Sequence, residues 1–252
     1  VPWDQDPIGY GTAYTGVMAA SDTNGLLLDG VAPASEYYIV RVFDDDGTFT
    51  FTSDIVGAVE VCLQNGTNII NLALAGGESE TDREAFSRFA DRDVLLVAAA
   101  GNAGPGAAPS FPASYPGVVS VGAIDSSREV AGFSNTNEFV DLVAPGVNIF
   151  STSPQGYKIW FGTGVATAYV SSVAALLWSA KPNATAAEIQ DALFEGAFDL
   201  GPPGRDHFYG YGLVQAANSL NVLLHGPMPS RQPSMLPSVV PSSSIQPSQT
   251  VV

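Results

Sequence analysis

Positive charge is scarce in this sequence. Nine Lys and Arg stand against 25 Asp and Glu in 252 residues, a formal net charge of −16. Such a balance cannot neutralise a phosphate backbone, which excludes nucleic acid as a partner, and it equally disfavours an anionic membrane surface. Long apolar runs are missing too. No uninterrupted stretch reaches the roughly 18 apolar residues of a bilayer-spanning helix, so no membrane association is expected. Cys62 is the single cysteine, which excludes an intrachain disulfide and any multi-cysteine metal site. Two histidines, His207 and His225, leave little material for imidazole-based metal binding or catalysis. No metal site and no cofactor are therefore expected. Hydrophobic residues are plentiful at 46% and charged ones few at 13%, which excludes global disorder and provides for a sizeable core.

The composition breaks near residue 225. The last 28 residues, His225–Val252, hold six prolines, seven serines and one charge, Arg231. Pro-Ser pairs recur at 229, 233, 237 and 241, and again at 247. Nothing there can build a core, so residues 225–252 are read as a Pro/Ser-rich disordered linker or stalk, and 1–224 as one folded domain.

Within 1–224, short apolar runs alternate with helical stretches. Tyr37–Phe43, Asn68–Leu74, Val94–Ala100 and Gly117–Ala123 read as strands. Ser53–Asn65, Glu78–Arg92, Gly164–Ala180 and Ala184–Glu195 read as helices, and Gly9–Gly16 opens another. Strands apolar on both faces and separated by helices imply an α/β fold, with a mainly parallel sheet covered on both sides. In such sheets function gathers beyond the carboxyl ends of strands. Gly9–Gly16, Gly101–Pro109 and Gly162–Thr167 are glycine-rich segments at such places.

Eight segments in order, between about Pro2 and Leu220, resemble the subtilisin-like serine peptidase family. Tyr10-Gly-Thr-Ala-Tyr-Thr-Gly16 stands where the family has His-Gly-Thr-His-Val-Ala-Gly. Gly30–Pro33, Asn71–Gly77, Val97–Asn102, Phe111–Pro116 and Val143–Gly146 follow. Gly162–Val170 stands where the family has Gly-Thr-Ser-Met-Ala-Thr-Pro-His-Val, and Tyr209–Leu213 with Ala216-Ala217 resembles its closing segment. The resemblance implies a three-layer α/β sandwich, and a peptidase site in which a serine attacks, a histidine takes its proton, an aspartate orients the histidine and an asparagine amide binds the oxyanion.

The departures fall on that site. Gly164 matches the nucleophile and has no side chain. Tyr10 matches the base, and a phenol with an ordinary pKa near 10 is a poor proton acceptor at neutral pH. The aspartate of the family lies about 30 residues before its histidine, yet nine residues precede Tyr10. Asp4 and Asp6 are too close to Tyr10 to replace it. The N-terminal strand segment that carries the aspartate is thus expected to be missing, which would leave unpaired sheet backbone and a chain that is processed, truncated or a fragment. The family's other motif histidines are replaced at Ala13 and Tyr169. Asn102 alone is retained, either as an oxyanion donor or as a loop-bracing amide. Thr163 and Thr167 carry hydroxyls nearby, and neither is expected to aim at the oxyanion site.

The expected function is therefore a non-catalytic homologue of a subtilisin-like endopeptidase, a scaffold or a binder of extended peptide or protein. The alternatives are an active endopeptidase, if the substitutions are sequence errors or compensated, and a remnant without a role. Leu74, Gly76, Gly77, Ala99, Ala100 and Gly101 match the edges along which a peptide would lie as an added strand. The family brings structural calcium as one of its traits, but no ligand set is evident; Asp44-Asp-Asp-Gly47 lacks the alternating spacing of an EF-hand and reads as a solvated turn. Cys62 reads as a core thiol. Asn65-Gly-Thr67 and Asn183-Ala-Thr185 fit the glycosylation triplet. The family and the tail together imply an extracellular or secretory location and a monomer.

Overall fold

The computed structural model describes residues 5–21, 25, 28–47 and 52–226. The Pro/Ser-rich stretch beyond Gly226, Asp4 and the other preceding residues lie outside the described residues.

In chain order the elements are α1 (Tyr10–Ala19), α2 (Thr52–Gln64), β1 (Ile69–Leu72), α3 (Glu80–Ala90), β2 (Leu95–Ala99), β3 (Val118–Ile124), β4 (Leu142–Pro145), β5 (Ile149–Ser153), β6 (Gly156–Trp160), α4 (Thr163–Ala180), α5 (Ala186–Glu195) and α6 (Ala216–His225). Strands β1-β2-β3-β4 form a parallel sheet in that order, and β5 and β6 form an antiparallel hairpin.

The sheet alternates its side chains between two cores, as the period of a strand requires. Leu95 and Val97 face α4, α5 and α6, packing with Val170, Leu177, Ile189 and Leu193. Leu96 and Ala98 face α2 and α3, packing with Ile55, Val59, Phe86 and Phe89. Helices on both faces make a three-layer α/β sandwich, as expected. Local signals start the helices where expected. Ser79 accepts from Asp82 N at the head of α3, and Thr185 forms a reciprocal capping box with Glu188 at the head of α5. Helix α4 is long and apolar enough by composition to cross a membrane. Its residues are two-thirds buried inside the domain, against β1 to β4 and α1, so it is built as a core helix. Cys62 is half-buried on α2 against the second core, and burial pushes its thiol up.

One expected strand is absent. Tyr37–Phe43 runs without strand pairing, and Tyr38 and Ile39 are exposed. A strand needs a neighbour to complete its ladder, and no described segment lies hydrogen-bonded between this stretch and β1, the free edge of the sheet. The space between them is a cavity of about 1680 Å³, lined by the 37–43 segment, α2, the outer edge of β1 and one side of α4. Asp44–Gly47 forms a turn, as expected.

Candidate functional site

Four chain segments meet at the carboxyl end of the sheet. They are the start of α1, the exits of β1 and β2, and the start of α4.

Asp6 sets the start of α1. Its Oδ1 accepts from Gly9 N at 2.8 Å, and its Oδ2 accepts from Thr12 N at 2.7 Å and Thr12 Oγ1 at 2.8 Å. The carboxylate is thus spent on orphan helix donors and orients no base. Tyr10 follows as the first helical residue, half in solvent. Its ring lies 6.1 Å from that of Tyr14 and 5.6 Å from that of Trp160.

The exit of β2 is braced to the start of α4. Asn102 Oδ1 accepts from Thr163 N at 2.9 Å and from Thr163 Oγ1 at 3.0 Å. Thr163 Oγ1 accepts in turn from Gly101 N at 3.2 Å. Thr167 Oγ1 donates to Thr163 O at 2.7 Å. Both threonine hydroxyls are fully buried and engaged, so neither is a spare nucleophile. Gly101 has a φ of 107°, and a Cβ there would meet Asn135 Nδ2 at 2.5 Å; the turn needs a glycine. Asn102 itself is exposed, and its Nδ2 makes no hydrogen bond with the described residues. The amide oxygen thus braces the loop, one of the two roles considered for it, and the other role turns on N–H groups that have no partner among the described residues.

The place beside Gly164 is taken. A Cβ at Gly164 would lie 2.6 Å from Tyr14 Oη and 2.8 Å from Tyr14 Cζ. Any side chain at 164 would displace the Tyr14 ring. Tyr14 is half-buried, and its phenol is pushed well above the usual tyrosine range by burial first, then by Tyr10 and Asp6. It stays a protonated hydroxyl, able to donate and unable to act as a base near neutral pH. Sequence motifs gave no reason to single out Tyr14. The signal that could have found it is volume: a large ring on α1 beside a missing side chain on α4.

The six residues matched to a peptide-binding edge separate into two groups. Ala99, Ala100 and Gly101 offer no edge. All three are buried, Ala99 ends β2 and pairs with Val121 of β3, Ala100 N donates to Val121 O, and Gly101 is tied at both its N–H and its C=O. Gly76 is also engaged, since it exchanges two backbone hydrogen bonds with Phe111, at 2.7 and 3.0 Å. Leu74 and Gly77 remain with no backbone hydrogen bond to the described residues, Leu74 half-buried and Gly77 exposed.

No histidine lines the cavity beside Tyr10. His207 is exposed in the loop closed by Asp206 and Gly210, and His225 ends α6. Among the described residues no group of three or more His, Cys, Asp or Glu could hold a metal ion.

Comparison with known proteins agrees with this architecture. Residues 5–212 match the subtilase family. The chain is 35% identical to subtilisin DY of Bacillus licheniformis over 218 residues, covering 84% of this chain and 77% of that protein. It is 37% identical to subtilisin E of Bacillus subtilis over 220 residues, covering 84% and 56%. It is 35% identical to the minor extracellular protease Epr of the same organism, but spans only 33% of its length. Among solved structures, the psychrophilic subtilisin-like protease Apa1 of Pseudoalteromonas sp. AS-11 superposes with a TM-score of 0.81 at 22% identity, covering 90% of this chain and 86% of that one. The prenylagaramide maturation protease PagA superposes with a TM-score of 0.79 at 29% identity, covering 88% and 85%. With the matched span, the fold and the segment order in agreement, the chain belongs to the subtilase family, whose characterised relatives are serine proteases.

Proposed function

We propose that this chain is a non-catalytic subtilase that binds extended peptide in an extracellular setting. The observation that carries the reading is the Tyr14 hydroxyl, 2.6 Å from where a Cβ at 164 would be. A serine at that position would need the ring to move. Tyr10 supports the same reading, because a phenol cannot take the role of an imidazole at neutral pH. In a subtilisin, removing the serine or the histidine costs about 10⁶ in turnover, roughly 8 kcal/mol. What remains of such a site is a donor of hydrogen bonds. The free Nδ2 of Asn102 and the protonated Tyr14 hydroxyl offer donors to a peptide carbonyl, and the backbone at Leu74 and Gly77 offers strand-like pairing. The proposed working state is a monomer.

The test combines labelling and binding on the same preparation. A fluorophosphonate probe, which phosphonylates activated serines with loss of fluoride, is expected to leave the protein unlabelled, while fluorescence anisotropy detects saturable binding of extended peptides. Stoichiometric labelling would sink the non-catalytic half of the proposal. Absence of binding across a diverse peptide set would sink the peptide half.

A further inference from the structure

Three aromatic rings at the site face solvent and are held from behind. Tyr10 and Phe161 are 51% and 52% exposed, and Tyr157 is 39% exposed. None of them packs into either core of the sheet. Tyr10 rests against the rings of Tyr14 and Trp160. Tyr157 stacks on Phe150, with ring centroids 5.5 Å apart and 16° between the planes. Phe161 is set between Trp160, which is buried, and Gly162, whose N–H donates to Gly146 O at 2.9 Å. All three rings line the large cavity, together with Tyr14 and Asn102. A Cβ at Gly162 would lie 3.4 Å from Asn102 Nδ2, so the Phe161 segment runs beside that amide.

The polar groups among these rings favour a ligand that accepts hydrogen bonds. Asn102 Nδ2 has no partner among the described residues, and the Tyr14 hydroxyl stays protonated. The neighbouring acceptors are already engaged: Asn102 Oδ1 by Thr163, both Asp6 oxygens by Gly9 and Thr12, and Gly101 O by Asn135 N. An ordinary peptide segment brings as many N–H donors as carbonyls, and each must find a partner when covered. A run of prolines brings carbonyls alone, because proline has no backbone N–H. Such a run forms a polyproline II helix, which has no ladder to complete and lays its rings on aromatic faces.

We propose that Tyr10, Tyr157 and Phe161 form an aromatic platform for a proline-rich segment of the bound peptide, with Asn102 Nδ2 donating to one of its carbonyls. The inference rests on the peptide-binding reading above and adds the class of peptide. Strand-like pairing at Leu74 and Gly77 is left to residues outside the proline run. A preformed polyproline helix loses little conformational freedom on docking, which offsets the small number of hydrogen bonds it makes.

The experiment measures fluorescence anisotropy of the full chain with two labelled decapeptides, one all proline and one of alternating alanine and serine. The proline peptide is expected to bind about tenfold more tightly. Tyr10→Ala and Phe161→Ala are each expected to weaken it about fivefold and to leave the alanine-serine peptide unchanged. Both side chains are half in solvent, and an unchanged melting temperature checks that the fold is kept. Asn102→Asp keeps an acceptor for Thr163 and removes the N–H donors, and a loss of about threefold is expected. Any competition from the six prolines of the chain's own tail acts on both peptides, so the affinity ratio carries the result. Equal affinities for the two peptides would overturn this platform and leave the groove standing. Proline binding that neither ring variant weakens would overturn it too, by placing that binding elsewhere. Binding by other peptides of a diverse set, but not by the proline decapeptide, would do the same. No binding by any peptide would overturn the peptide-binding reading as well.

Discussion

The two sides of the site are built by different physics. On one side, Asn102, Gly101 and Thr163 form a closed hydrogen-bond relay between 2.9 and 3.2 Å, with the threonine fully buried. On the other, Tyr10, Tyr14 and Trp160 meet by ring contact, and a ring fills the space beside Gly164. The first arrangement holds an amide so that its free N–H groups face outward. The second leaves no room for a nucleophile. The contrast is between an amide braced by hydrogen bonds at the exit of β2 and an aromatic ring packed where a side chain at 164 would stand.

Gly164→Ser attacks the comparison at its tightest point. The added side chain meets the Tyr14 ring, and overpacking of this kind is expected to cost about 3 kcal/mol in a denaturant melt. Adding Tyr14→Val should make the pair cost less than the sum of the single changes by about 2 kcal/mol. Additive costs would mean that the ring does not occupy that space. Asn102→Ala breaks the other side. Thr163 N and Oγ1 lose their shared acceptor, and a loss of about 2 kcal/mol is expected, read by chemical denaturation. A loss within about 0.5 kcal/mol would show the relay to be unimportant.

Asp6→Ala tests whether that carboxylate serves the helix alone. The expected cost is about 1 kcal/mol, with peptide affinity unchanged by calorimetry. The smallest effect is alkaline. The folded-state pKa of Tyr14 is raised above its unfolded value near 10. Its contribution is therefore fully present below about pH 10 and lost as pH rises through the folded value. Tyr14→Phe should flatten the fall in melting temperature above pH 10 relative to the natural protein. An unchanged alkaline slope would contradict the raised value.

Much of this was legible from sequence, for identifiable reasons. The helices of the two outer layers carry local signals, as in the Ser79 and Thr185 caps, and β2 and β3 announce themselves by apolar runs. The family followed from the order of eight segments. Tyr37–Phe43 carries the same apolar signal and yet forms no strand, because pairing depends on a neighbour that no local pattern reports. Strand β4 and the β5–β6 hairpin were not anticipated; their residues mix small and polar side chains, as in Ser151-Thr-Ser153. At the site, Tyr10, Gly164 and Asn102 were found by motif. Ala99, Ala100 and Gly101 were placed on a binding edge that the fold uses internally. Tyr14 was missed because a filled volume is a property of packing.

The account depends most on the absence of a working nucleophile, and its most direct test is turnover of a fluorogenic peptide by the purified natural protein beside Asn102→Ala. The account predicts that both are indistinguishable from buffer. Cleavage by the natural protein that Asn102→Ala lowers by about 10²-fold, the usual cost of losing one oxyanion donor, would contradict it.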